Sequence, residues 1–178
     1  MAPKNVYFIS QSEAERMTPA PGSPIISITD PDKPLAALPR WESVYRESFY
    51  DGGYSESTIK AMKGAFRLNY ASYICSGQAR KLASHIDDLV AAGREEIFVH
   101  CYFGESRSGA VAKYLQDKHG YTPNKEIRKP NRTVYELLTD PDKYEPLIQS
   151  LETQDISTER SLLSRMWYWV LVAAGVKR

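Results

Sequence analysis

Between residues 77 and 120 the chain changes its hydrophobic period twice, and this alternation narrows the accessible folds more than any other feature of the sequence. From Gly77 to Gly93 the apolar residues Ala79, Leu82, Ala83, Ile86, Leu89 and Val90 recur three and four apart, the stripe of an amphipathic helix. Glu96 to His100 then reads as a short buried strand. From Ser108 to His119 the residues Ala110, Val111, Tyr114 and Leu115 restore the helical spacing, with Gly120 as the stop. Helix, strand, tight loop, helix is an α/β signature. Val6–Ser10 and Ile25–Ile28 add β-branched or aromatic runs between turn residues, and Ser43–Phe49 adds a less regular one. The predicted fold is α/β: a central, mostly parallel sheet flanked by helices, with a ligand loop at the C-terminal edge of the strand ending at His100.

Seven of the eleven prolines lie in the first 40 residues, which predicts strands and turns there but little helix. Beyond residue 120 the spacing predicts a helix over Asn131–Thr139, a polar connector through Asp140-Pro141 and Glu145-Pro146, and a closing helix over 157–174. A chain of 178 residues with 42% apolar side chains is expected to form one domain over 1–150. Residues 151–178 are then a helical extension that packs on it or mediates association.

The residues that carry chemistry run from Val99 to Gly109: Val-His-Cys-Tyr-Phe-Gly-Glu-Ser-Arg-Ser-Gly, between the buried strand and the next helix. A tight loop at a helix N-terminus aims its amides at one point and, with the helix dipole, favours an anion there. The same field predicts thiolate character for Cys101. Tyr102, Phe103, Gly104, Glu105 and Ser106 supply the amides of the cradle. The five residues between Cys101 and Arg107 let the chain curl so that the guanidinium clamps two oxygens of one phosphoryl group. Gly104 allows a backbone with φ > 0 and a close approach. Ser108 is placed to hydrogen-bond the sulfur.

His100-Cys101-x-x-Gly104-x-x-Arg107-Ser108 resembles the signature of the cysteine-dependent protein tyrosine and dual-specificity phosphatases, matching it at every specified position. The chain is also similar to compact bacterial and phage dual-specificity-like members over roughly residues 25–138, with Ile25–Asp32 as their early strand and turn and Phe49-Tyr50-Asp51 as their acid-bearing loop. The resemblance implies a tyrosine-phosphatase-like fold and a two-step, metal-free and cofactor-free hydrolysis of phosphate monoesters. Cys101 is the nucleophile, Arg107 the clamp, and His100 a support behind the cysteine. Such enzymes usually carry the general acid nearer the cysteine, yet Lys63–Lys81 holds no Asp or Glu. Asp51, in the Tyr50-Asp51-Gly52-Gly53 loop, is the chosen acid, on the reasoning that a mobile loop can close over substrate, with Glu56 second. Asp87 and Asp88, adjacent in the first helix, are expected to face solvent.

The expected substrate is a phosphorylated protein or peptide. Three alternatives stay open at this point: a phospho-binding adaptor without turnover, a phosphatase of RNA ends or nucleotides, and a rhodanese-like sulfur transferase, whose loop is shorter. Glu105 puts a carboxylate on the loop, which predicts poor activity on polyphosphorylated inositol lipids. With 23 Lys and Arg against 22 Asp and Glu, the net charge of +1 offers no broad field for a stable nucleic-acid partner. Two cysteines fit a reducing, cytoplasmic setting, with Cys75 a structural thiol. His85 and His119 are expected at the surface or helix ends, not on a metal, and Asn131-Arg132 as a core or surface cap, with contact to the active-site region as the alternative. The run Met166–Val176, at eleven residues, is too short for a membrane span of about 20. Within it Met166-Trp167-Tyr168-Trp169-Val170-Leu171 is expected to pack on the body, with homodimer formation or a membrane-surface contact as the alternatives.

Overall fold

The computed structural model describes residues 3–154. The closing helix expected over 157–174, the Met166–Leu171 aromatic stretch and the homodimer contact assigned to it lie outside the described residues. The described residues fall into two compact units: one holds the chain up to Tyr54 together with Tyr70–Lys143, the other Ser55–Asn69 with the residues from Tyr144 onward.

The first unit is built on a five-stranded sheet of β1 (Asn5–Ser10), β2 (Pro24–Thr29), β3 (Ser43–Ser48), β4 (Glu96–Cys101) and β5 (Thr122–Pro123), in the order β3-β2-β4-β1-β5. Every pairing is parallel. All six residues of β2 and five of the six in β4 are buried, as expected where helices cover both faces of a parallel sheet. The pleat divides β4 between two faces. Phe98 stacks on Tyr7 (ring centroids 4.6 Å apart) and meets the edge of Trp41 (5.1 Å), in a cluster with Ile9, Ala14, Ile25 and Leu38. Ile97 and Val99 alternate to the opposite face, as does Cys101 at the strand's end.

Register brings the strand ends together. Ser10 stands opposite Cys101, Ser27 opposite His100, and Thr29 opposite Ser48, so the residues that leave the four long strands are Gln11, Tyr102, Asp30 and Phe49, all at one edge. Local sequence forms the helices of this unit: α1 (Gln11–Arg16), α4 (Ser76–Ala91), α5 (Arg107–His119) and α6 (Arg132–Thr139), with α6 in contact with both α4 and α5. The buried residues Ala79, Leu82, Ala83, Ile86 and Leu89 of α4 are those of the predicted stripe.

Two expectations are corrected. The proline-rich first 40 residues do hold a helix, because the proline-free segment after β1 carries a capping box: Ser10 Oγ accepts from Glu13 N, and the Glu13 carboxylate accepts from Ser10 N at 2.7 Å. The connector containing Glu145-Pro146 is helical over 145–154, since proline in a first turn forfeits only an N–H that has no helical partner. The boundary expected after residue 150 falls inside this run.

The second unit contains α2 (Glu56–Met62), a 3-10 turn (Lys63–Ala65) and α3 (Phe66–Asn69), with the 145–154 helix. Ile59, Phe66, Tyr144 and Ile148 are its buried side chains, and Arg67 joins its two chain segments through Glu145 (3.0 Å) and Glu152 (2.8 Å). Among the described residues no helix is long and apolar enough to cross a membrane.

Candidate active site

The loop from β4 to α5 is held from beneath by β1. Gln11 N donates to Tyr102 O at 3.3 Å, and Gly104, at φ +70°, lies so close that a Cβ there would run into the Ile9 carbonyl carbon and Ser10 N. Both the left-handed backbone and the contact demand glycine. Cys101 is a buried free thiol, its Sγ 3.2 Å from Ser108 Oγ. Ser106 stands at the N-cap of α5 yet makes no side-chain cap: its hydroxyl donates to Asp51 Oδ1 at 2.7 Å. The first-turn N–H groups of a thirteen-residue helix are thereby left without a side-chain acceptor, the arrangement that receives an anion.

Arg107 is 2% exposed, and its guanidinium is anchored along one edge. Nη1 donates to Asp30 Oδ1 at 2.7 Å and to the Phe49 carbonyl at 2.6 Å, both from residues that directly follow strands. Nε is buried and makes no hydrogen bond, with Asp51 Oδ2 3.9 Å away. A buried guanidinium nitrogen without an acceptor is costly unless something arrives to take its proton's hydrogen bond.

Asp51 is fastened by its other oxygen. Oδ1 accepts from Ser106 Oγ and, at 3.0 Å, from Asn131 Nδ2, whose second hydrogen goes to Gly52 O at 2.9 Å. Thr133 Oγ1 donates to Tyr54 O and accepts from Tyr54 N, each at 3.0 Å. The glycines of this loop pack closely: a Cβ on Gly52 would strike the Tyr73 ring, and one on Gly53 would strike Thr133 Oγ1.

His100, fully buried, lies opposite Ser27, whose Oγ is 2.8 Å from Nε2 and receives a long contact from Arg46 Nη1 at 3.5 Å. Which of these two atoms donates depends on the imidazole tautomer, and Nδ1 is buried without a hydrogen-bond partner. Burial pushes the His100 pKa down to about 4, against a smaller upward pull from the Cys101 backbone, so the ring is neutral near pH 7.

The loop's outer residues differ in character. Tyr102 and Phe103 are 57% and 74% exposed and meet edge to face at 4.8 Å. Glu105 lines a cavity of about 210 Å³ with Lys125, Glu126, Arg128 and Lys129, so its carboxylate faces more positive than negative charge, which the sequence around residue 105 did not disclose.

Other candidates stand elsewhere. Glu56 lies in the first turn of α2, in the second unit, and pairs with Lys60 at 3.4 Å. Cys75 is an exposed free thiol at the start of α4. His85 stacks on Tyr45, and His119 ends α5 beside Asp87, 3.1 Å away. Asp87 and Asp88 are exposed. Among the described residues no group of three His, Cys, Asp or Glu side chains is arranged to hold a metal ion. Sequence reasoning missed Asp30, Ser27 and Arg46. Asp30 was read only as part of the Ile25–Asp32 strand and turn; its signal was its position immediately after a strand.

No protein-family model matches the chain, and no curated protein matches it. Among solved structures the chain is similar to one described as "Crystal structure of Tk-PTP in the active form", with 15% identity, a TM-score of 0.40, and coverage of 89% of this chain and 92% of that one.

Proposed function

We propose that the protein is a phosphate monoester hydrolase that works through a cysteinyl-phosphate, acting on phosphotyrosine, and on phosphoserine or phosphothreonine, in proteins. The observation that carries this reading is Arg107: a buried guanidinium fixed at Nη1, with Nε unpartnered, on the loop that also presents Cys101 and an uncapped helix start. A phosphoryl dianion supplies the acceptor this edge lacks, and its remaining oxygens suit the loop amides.

In the first step Cys101 Sγ, as its anion, attacks phosphorus; the S–P bond forms as the P–O ester bond breaks, and the ester oxygen takes a proton from Asp51. In the second, water attacks the cysteinyl-phosphate, Asp51 accepts its proton, and the S–P electrons return to sulfur, with the Ser108 hydroxyl stabilising the departing thiolate. Positioning and charge stabilisation by the loop and Arg107 supply most of the acceleration in phosphoryl transfer. His100 orients the cysteine from behind.

Phosphate release from a phosphotyrosine peptide and from a phosphoserine peptide, compared for the parent and Cys101→Ser, tests the proposal. Release by the parent and none by the serine variant is expected, with vanadate competing. Equal release by both proteins removes Cys101 as nucleophile, and vanadate binding without turnover by the parent favours an adaptor.

A further inference from the structure

Resting on the reading of Asp51 as general acid, we infer that Asn131 is a positioning residue that places the transferable proton on Asp51 Oδ2. Every polar group of Asn131 is committed. Its backbone N–H donates to Ser106 O at 2.9 Å; its Oδ1 caps α6 by accepting from Val134 N at 3.1 Å; its Nδ2 donates to Asp51 Oδ1 and Gly52 O. The amide's orientation follows from these partners, because a flipped amide would set NH₂ against the Val134 N–H and its oxygen against two other oxygens. One buried side chain therefore ties together the anion loop, the acid loop and a helix N-terminus.

The consequence falls on Asp51. A carboxyl oxygen has two lone pairs, and those of Oδ1 are taken by Ser106 Oγ and Asn131 Nδ2. A proton on this carboxyl group sits on Oδ2, the oxygen nearer the open Nε of Arg107. It then faces the phosphoryl group held there, so the breaking P–O bond delivers its electron pair to an oxygen within reach of that proton. Without the Asn131 donor, Oδ1 regains a free lone pair and the proton divides between two oxygens, one of them turned away from substrate. Capping alone does not explain the residue, since Asp and Ser cap a helix as well as Asn. What asparagine adds is the donor.

Asn131→Asp separates the two roles. When ionised it keeps the shape and the cap acceptor but replaces Nδ2 with an oxygen that cannot donate to Asp51 or Gly52. Rates are measured on aryl phosphates spanning good to poor leaving groups for the parent, Asn131→Asp, Asn131→Ser, Asp51→Asn and the Asp51→Asn/Asn131→Asp double variant. Circular dichroism melts verify that each variant is folded. The expected result for Asn131→Asp is a steeper dependence on leaving-group basicity, with a loss on the poorest leaving group at least roughly ten times the loss on the best, within the usual span of acid catalysis. The double variant should then be no slower than Asp51→Asn alone. Asn131→Ser, a cap whose shorter side chain carries no amide donor, should steepen the dependence in the same direction. A uniform loss across leaving groups, or additive losses in the double variant, overturns the inference while leaving the acid in place. An Asp51→Asn variant whose dependence equals the parent's overturns the acid assignment itself, and the role of Asn131 with it.

Discussion

The anion loop and the brace around it are built on opposite plans. The loop's working groups, His100, Cys101, Arg107 and Ser108, lie within nine consecutive residues, and the loop's shape follows from one strand end, one glycine and one helix start. The brace consists of Asp30, the Phe49 carbonyl, Asp51 and Asn131, gathered from three separate parts of the chain by parallel strand ends and the start of α6. In the proposed reaction the loop supplies the chemistry of attack. The brace decides where a guanidinium and a carboxyl group point. The difference teaches that a reactive motif specifies which atoms meet, while precision comes from residues that no motif contains.

Substitutions in the two regions should separate cleanly, with the loop showing the larger losses. Cys101→Ser, which removes the nucleophile, is expected to reduce phosphate release by at least about 10⁴-fold, read as initial rates on an aryl phosphate. Arg107→Lys keeps the charge but loses the planar fork and the Nη1 anchor to Asp30; a loss of roughly 10²- to 10³-fold is expected in the same assay. If lysine sufficed, the brace would have no orientation to preserve.

The next effect belongs to pH. The folded-state pKa of His100 lies below its unfolded value, so the unfolded chain binds the extra proton first and stability is lost as pH falls from about 6.5 toward about 4. The shift corresponds to about 3 kcal/mol near pH 4, seen as a falling urea midpoint, and His100→Gln should flatten that slope. An unchanged slope would show that the sensitivity does not come from His100. The smallest effect is expected from Asp30→Asn: with its partner about a quarter exposed, Arg107 loses an ion pair worth about 1 kcal/mol, and the rate falls about 10-fold as the fork loosens. A loss equal to that of Arg107→Lys would mean that the brace, and not the fork, limits the reaction.

Much of the fold was legible. The stripes of α4 and α5, the apolar run of β4 and the strands β1, β2 and β3 all form within a residue or two of where their periodicity puts them, because burial of a periodic face is a local instruction. The misses have physical reasons. The helix α1 depends on a capping box within a proline-rich stretch, and the 145–154 helix carries Pro146 in its first turn, in a segment read as a polar connector. Asp51 was chosen by its place in a glycine-containing loop, and the structure sets it against Ser106 and Asn131, with the neighbouring glycines in close contact with Tyr73 and Thr133. Asn131 was read as a core or surface cap in preference to a contact with the active-site region, and it is both: its Oδ1 caps α6 while its Nδ2 reaches Asp51.

By itself, the sequence determined the strand, the tight loop and the helix, and with them the sulfur, the guanidinium and the glycine that must take a positive φ. These are contiguous, and steric and hydrogen-bonding rules act over a few residues. Only the tertiary structure decided that Asp30 and Phe49 hold one edge of Arg107 and leave Nε without an acceptor, and that Asn131 and Ser106 share one oxygen of Asp51. Those contacts span 55 to 80 residues of chain, and they exist because parallel register brings separate strand ends to one edge, which no short window of sequence encodes.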